Sequence, residues 1–564
     1  MSEIESLRPL AAVLVSAIAV VLIIASYRRP NVREGWSVLA AVTKFAIVAS
    51  MLPGVMDGDI YVWSLEATTG HTFVFGIDFA LRADPLGMLF AFLASFLWIF
   101  TSFYATGYMR GLDEHAQTRF FAAFAASLST AVGIAFAENL LTIFIFYELL
   151  SLVTYPLVAH DEDRKARIAG RKYLAYTFFG GGVFLLAGTV LTFWLTNTIA
   201  GTATITFSSG GIAEMGQVAA AEPLYGQITF ALLAAGFGVK AAVMPLHSWL
   251  ADAMVAPTPV SGLLHAVAVV KSGAFGVARV ILDVFGPETV AELGMHIPLA
   301  ILSSFTLVAA SVIALRKDNL KRRLAFSTTA QLSYIVLGLS LLHPIALVGA
   351  LLHIPAHAFG KLTLFFCAGA IHVETHTDNI SEMAGIGKRM PLTMTAFTVG
   401  AAGMAGIPLV AGFVSKFYLL IGGIGAGGFG TIGGSDPIMN PALGVLFASS
   451  LIVSGILNIA YFWPIVYTAF FESEDAYDAK PLLEFDMGGE PGGQIMPDGG
   501  EHDEHHHEGA PPGGWDRRTP FTESTWMMVA PIALLAVGAL TLGVVPDHAI
   551  FLDLAQFIVE EVIG

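Results

Sequence analysis

The stretch ITFALLAAGFGVKAAVMPLHSWL, residues 228–250, decides the fold, because it is apolar enough to cross a bilayer yet carries Lys240 and is interrupted by Pro245. A second stretch, TMTAFTVGAAGMAGIPLVAGFVSKFYLL, residues 393–420, repeats the combination with Lys416 and a break at Gly406 and Pro408. An ionisable group at bilayer depth costs at least about 2.5–3.5 kcal/mol on insertion scales, so it is kept where it meets water, a partner charge or a moving ion. Two charged, interrupted helices about 170 residues apart predict a transporter built from two related halves.

Composition supports the membrane reading. The 564 residues are 55% hydrophobic and 13% charged, with mean hydropathy +0.71, whereas soluble domains carry about 25% charged residues. Apolar runs of spanning length recur near 8–26, 36–54, 85–106, 119–136, 138–157, 172–195, 226–249, 257–282, 296–315, 324–342, 345–370, 391–421, 443–470 and 525–546. The expected fold is therefore an all-α polytopic membrane protein of about 14 transmembrane helices. The first run follows Glu3, Glu5 and a single Arg8, which is not the basic start of a cleaved signal, so it reads as a retained helix. The one cysteine, Cys367, leaves the redox compartment open.

Lysine and arginine cluster in alternate loops: Arg28, Arg29 and Arg33; Arg110 and Arg119; Arg164 to Lys172; Arg316 to Arg323; Lys388 and Arg389; and Lys480, Arg517 and Arg518. If those loops face the cytoplasm, both termini lie outside a cell (inner) membrane. The net charge of −16 resides largely in loops and tail and points to no nucleic-acid partner. Residues 472–523 include GGEPGGQIMPDGGEHDEHHHEGAPPGGWDRR, a Gly, Pro, Asp, Glu and His mixture that cannot bury a core, and read as a flexible cytoplasmic loop. Its His502, His505, His506 and His507 offer metal ligands, but metal sites need rigid geometry and a solvated linker is the simpler reading. The GxGxxG spacing in GIGAGGFG, 423–430, follows no strand pattern and falls in an expected external loop. His353/His357 and His372/His376 are spaced by four but lack the Glu of HExxH, so no catalytic zinc is expected.

What remains is a set of titratable groups at membrane depth. Glu148 lies ten residues beyond Glu138, about 15 Å along a helix and close to mid-bilayer. Lys240 sits deep in its own span; Lys271 follows His265 by six residues; His353, His357 and Lys361 climb one helix face at intervals of four. An acid, lysines and histidines at similar depth make a lateral row for proton hopping where water fills the gaps. Burial disfavours a charged lysine and a nearby carboxylate favours it, so the pair can load and unload a proton, while histidine relays near neutral pH. The breaks at Pro245 and at Gly406 and Pro408 would free backbone groups to line such a cavity. Competing structural readings are a static Glu148–Lys240 ion pair, a snorkelling Lys361 and a His265 bonded to a neighbouring carbonyl. Lys44 has no evident companion charge and is left out of the row.

Taken together, FYELLSLVTYPLVAH (146–160), VKAAVMPLHSWLADAMVAPTPVSGLLHAVAVVKSG (239–273), NLKRRLAFSTTAQLSYIVLGLS (319–340), HIPAHAFGKLTLFFCAG (353–369) and GIPLVAGFVSKF (406–417) resemble one family. It comprises the proton-translocating membrane subunits shared by respiratory complex I, membrane-bound hydrogenases and Mrp-type monovalent cation/proton antiporters. The resemblance covers about residues 70–470 and looks closest to the Mrp D subunits. It implies two inverted five-helix repeats, each with an interrupted helix. The expected layout is then 1–118 for three N-terminal helices, 119–282 and 283–471 for the repeats, 472–523 for the loop, and 524–564 for the last helix and tail. By the family motif, Glu148 is similar to the glutamate that tunes the first lysine, Lys240 to the proton-holding lysine of the first half and Lys271 to the connecting lysine. His353 and His357 resemble the central relay, and Lys416 the lysine of the second half. The implied half-channels open to the cytoplasm in the first repeat and to the outside in the second.

Position 416 is Lys, where the middle complex I subunit resembles this pattern with a glutamate, and the chain stops about eighteen residues after its last apolar run, short of a long lateral helix. The expected function is therefore proton translocation within a multisubunit Na+(K+)/H+ antiporter, with other membrane subunits as partners and no cofactor in this chain. The alternatives are a proton-pumping subunit of a respiratory dehydrogenase or hydrogenase, whose redox chemistry would lie in partners because no iron–sulfur cysteine set is present, and a membrane partner of an inorganic-carbon uptake system.

Overall fold

The computed structural model describes residues 2–428, 438–473, 510, 514–548 and 550–563. Its principal helices are α1 Arg8–Ala25, α2 Pro30–Ala49, α3 Pro85–Gly111, α4 Gln117–Ala135, α5 Leu140–Val158 and α6 Arg164–Ala200. Then come α7 Pro223–Lys240, α8 Ser248–Asp252, α9 over 258–285, α10 His296–Leu315, α11 Leu320–Ser340 and α12 Pro344–Thr375. The last are α13 Pro391–Ala405, α14 Ala411–Ala426, α15 Pro441–Phe471, α16 Trp526–Val544 and α17 Ile550–Ile563. Among the described residues, ten helical segments are long and apolar enough to cross a membrane.

Local chemistry sets the starts. Asp84, Asn139 and Asn319 each accept a hydrogen bond from a backbone N–H three residues on, which satisfies donors a helix start leaves free. Proline occupies the first turn of α2, α3, α7, α12, α13 and α15, where its missing N–H costs nothing. The helix α12 is almost entirely buried and forms the axis of the bundle.

The apolar runs that carry Lys240 and Lys416 are both interrupted. After Lys240 the chain turns through 241–247 before α8, and after Ala405 it turns through Gly406, at φ 82°, before α14. The two lysines do not occupy matching places. Lys240 ends the helix before its break and Lys416 lies within the helix after its own. Irregular turns also occur elsewhere: α6 widens into π-helix at Ala175–Gly181 and α9 at Leu263–Val267.

On one face, strands β1 Ser2–Glu5, β2 Asp59–Ser64 and β3 Ala80–Ala83 form a small sheet in the order β1-β2-β3, the first pair parallel and the second antiparallel. No strand was expected there. Ser2 and Glu560 line one shallow pocket, so both chain ends meet on this face. The basic loops gather on the other. There, residues 514–523 depart from the expected flexible segment: Trp515 is buried with its indole N–H on Ala384 O at 2.9 Å, and Arg389 pairs with Asp516. The Glu523 carboxylate accepts from the N–H groups of Leu392 (2.8 Å) and Thr393 (2.9 Å), capping α13 from a distant part of the chain. Replacing Glu523 with Ala should lower stability by about 0.5–2 kcal/mol, read from denaturation of the purified chain in detergent. His502, His505, His506 and His507 lie outside the described residues. The GIGAGGFG run is not the expected external loop over its first four residues, because α14 continues through Ala426.

Candidate functional site

The titratable residues that α5, α7, α9, α12 and α14 carry converge in the interior. Lys240, His265, Lys271, His353, His357 and Lys361 are fully buried, and Glu148 and Lys416 partly so. The centre of the row is a direct contact: Lys271 Nζ lies 2.5 Å from His357 Nδ1. One turn along α12, the His353 ring stands 6.2 Å from that of His357, stacked. Pro355 between them cannot donate to the helix, so the backbone here is short of one hydrogen bond.

Beyond His353 the chain of polar contacts continues through residues that sequence reasoning missed. Gln331 Oε1 lies 3.0 Å from His353 Nε2 and accepts its proton, which leaves Nδ1 to accept from the Ser415 hydroxyl at 2.8 Å. Gln331 Nε2 donates to Asn458 Oδ1 at 3.0 Å and more weakly to Met404 O at 3.4 Å. Lys416 donates to that same Met404 carbonyl, which the end of α13 leaves without an intrahelical partner, and its Nζ lies 4.4 Å from the Tyr334 ring centre. Lys271, His357, His353, Gln331, Met404 O and Lys416 thus follow one another. Asn458 extends the polar set to Tyr461 and Ser327. A lone Gln and a lone Asn in otherwise apolar helical runs were the available signals for this branch.

On the other side, Lys240 donates to the backbone carbonyl of Tyr147 and sits 3.4 Å from that ring's centre. Glu148 is adjacent in sequence, and the two charges are near enough to interact. They form no direct ion pair among the described residues, so the static pair is not what fixes these helices. One carboxylate oxygen of Glu148 is buried without a hydrogen-bond partner there. Gly182, just after the π-helical turn of α6, makes room for that carboxylate: a Cβ on it would approach to 2.7 Å.

Gly273 lets α9 cross α7 at Lys240, since a Cβ there would stand 2.2 Å from Ala241 N. Gly273→Ala must push the two helices apart, and a stability loss of about 1–3 kcal/mol is expected in the same denaturation measurement. Lys361 does not snorkel; it is buried and donates to Leu324 O at 3.1 Å. His265 packs 4.8 Å from the Phe365 ring, and neither ring nitrogen bonds a carbonyl among the described residues. Lys44 needs no partner subunit, for it donates to Leu128 O at 2.7 Å beneath the Trp98 ring. Pro245 and Pro408 are exposed and mark the breaks without joining the row.

The family model described as "NADH:quinone oxidoreductase/Mrp antiporter, TM" matches residues 137–432, which include every residue of this row up to Lys416. The chain belongs to this family. Among NADH:quinone oxidoreductase/Mrp antiporter relatives, it is 30% identical over 486 residues to NADH-quinone oxidoreductase subunit N of Desulforudis audaxviator (strain MP104C), covering 84% of this chain and 83% of that one. It is 32% identical over 378 residues to a probable K(+)/H(+) antiporter subunit of Rhizobium meliloti (strain 1021), covering 67% of this chain but only 36% of that longer protein. Its fold is similar to a chain of the Mrp complex from Dietzia sp. DQ12-45-1b, with a TM-score of 0.74 at 21% identity over 99% of this chain and 100% of that one. A chain of the membrane-bound sulfane sulfur reductase, an archaeal respiratory membrane complex, is similar at a TM-score of 0.72 and 20% identity, over 99% and 98% of the two chains.

Proposed function

We propose that this chain is the proton-translocating membrane subunit of a multisubunit Na+ or K+/H+ antiporter. The observation that carries the reading is the succession Lys271, His357, His353, Gln331, Met404 O and Lys416 through the bundle interior, in which every step but the 6.2 Å one between the two histidine rings is a direct polar contact. Glu148 and Lys240 stand at its other end, where movement of the carboxylate relative to the amine would load or release a proton. A proton arriving on the Lys240 side passes through hydrated gaps to Lys271, crosses to His357 and His353, and reaches Lys416 over water, while Gln331 accepts from His353 and holds its ring in place without carrying the proton itself. Water is needed between Lys240 and Lys271, because no side chain bridges them among the described residues.

In this reading the chain crosses the cell membrane fourteen times. The runs around both breaks count as single crossings, in repeats 119–282 and 283–471, with the basic face cytoplasmic. The Rhizobium relative, a probable K(+)/H(+) antiporter subunit, and the likeness in fold to a chain of the Dietzia Mrp complex support an antiporter assembly, and partner subunits would complete the cation route. A second reading, a proton-pumping subunit of a quinone-reducing complex, is favoured by the Desulforudis relative, which matches over more than four-fifths of both chains. Purification from the native membrane with identification of the co-purifying chains separates them. Companion antiporter subunits, with Na+- or K+-driven proton flux in vesicles, support the first reading. Iron–sulfur or quinone-reducing subunits would replace it with the second.

A further inference from the structure

On the face of the basic loops, away from the row, Glu114 and His115 occupy the turn between α3 and α4, and His160 follows the end of α5. One ligand atom from each lies within 4.8 Å of the others. Glu114 Oε2 stands 3.7 Å from His115 Nδ1 and 3.8 Å from His160 Nε2. Those separations exceed a hydrogen bond. They come within a few tenths of an ångström of the roughly 3.3 Å ligand-to-ligand spacing around a tetrahedral zinc with bonds of about 2.0–2.1 Å.

Two further observations point to a ligand. The His160 side chain is completely buried, and neither of its ring nitrogens has a hydrogen-bond partner among the described residues, a condition that calls for a bound water or ion. His115 Nε2 meets the backbone carbonyl of His160 at 3.0 Å and must donate to it, so the lone pair is on Nδ1, the nitrogen that faces Glu114. A carbonyl that fixes the tautomer of a ligating histidine is the outer-shell arrangement metal sites use. The pocket is also held in place. Arg119 donates to the same carbonyl at 2.8 Å while its charge is engaged by Glu162, and the Phe120 ring walls His160 at 5.7 Å. His115 is half exposed, which leaves a fourth position open to solvent.

We propose that Glu114, His115 and His160 bind a divalent transition metal of borderline softness, with zinc as the probe, in a site of two imidazoles, one carboxylate and an open position. Bound metal ties the α3–α4 turn to the end of α5, the helix that carries Glu148 about 18 Å further into the bundle.

The test is titration of the purified full-length chain with Zn2+ against a competing chelator, with His502, His505, His506 and His507 all changed to Asn so that the loop cannot contribute. One zinc per chain is expected, with an X-ray absorption signature of two imidazole ligands. His160→Ala should remove the site, and His115→Asn, at a half-exposed position, should weaken it at least tenfold while leaving metal-free thermal stability unchanged. Absence of stoichiometric zinc in the loop-substituted chain, or affinity within twofold of it in both variants, would overturn the proposal.

Discussion

Lys240→Met should reduce antiport in reconstituted vesicles at least about a hundredfold, the scale on which removing a proton-transferring group acts, while the variant chain still assembles with its partners. The Lys240 amine has its hydrogen bond on the Tyr147 carbonyl and lies against that ring, so no ion pair holds the helices together through it. Met has a similar length and no titratable group, so packing around Phe237 and Tyr147 survives while the titratable amine is lost. Glu148→Ala should abolish antiport in the same assay, because the carboxylate follows Tyr147, whose carbonyl holds the Lys240 amine, and its charge favours the protonated amine. Normal antiport in either variant removes the first half of the path.

The second large effect concerns the centre. Lys271→Met and His357→Ala each break the 2.5 Å contact that joins the Lys240 side to the α12 histidines. Either substitution should lower proton flux by about a hundredfold or more. The double variant should be no slower than the worse single one, because two members of one relay act as a unit. If the losses multiply instead, the two residues serve separate routes. The imidazole of His357 is fully buried, so a parallel thermal-unfolding measurement must show that His357→Ala leaves the fold intact.

Much of this architecture was legible because lipid leaves so few options. Apolar run length finds membrane helices, and a charge inside one stands out at once, so Glu148, Lys240, Lys271, the α12 histidines and Lys416 were readable one by one. Their order in space was only partly readable. Spacing by four placed His353, His357 and Lys361 on one face of one helix, but which residue of another helix meets which histidine depends on crossings set by small residues such as Gly273. The intermediates Gln331 and Ser415 escaped because an uncharged polar residue in an apolar run is common, and its partner is chosen by tertiary packing. The sheet of β1, β2 and β3 escaped for a different reason: its strands are short and lie outside the long helices, in segments whose patterning is weak. Trp515 and Glu523 show the limit of composition as a guide. The end of a segment rich in Gly and Pro is still docked where one aromatic and one carboxylate find partners on α13 and the loop before it. The cluster of Glu114, His115 and His160 was hidden for the same reason as the row, since Glu114 and His160 are far apart in sequence and meet only because α4 packs against both α3 and α5.

On the proposed path the α12 histidines carry protons between the two halves. Infrared difference spectroscopy on the reconstituted complex, with isotope-labelled histidine and an imposed cation gradient, reads their protonation directly. The expected result is an imidazole band that changes when the gradient is applied, disappears in the His357→Ala and His353→Ala variants, and is silenced by Lys271→Met. A transporting complex whose histidine bands stay unchanged under the gradient would contradict the account.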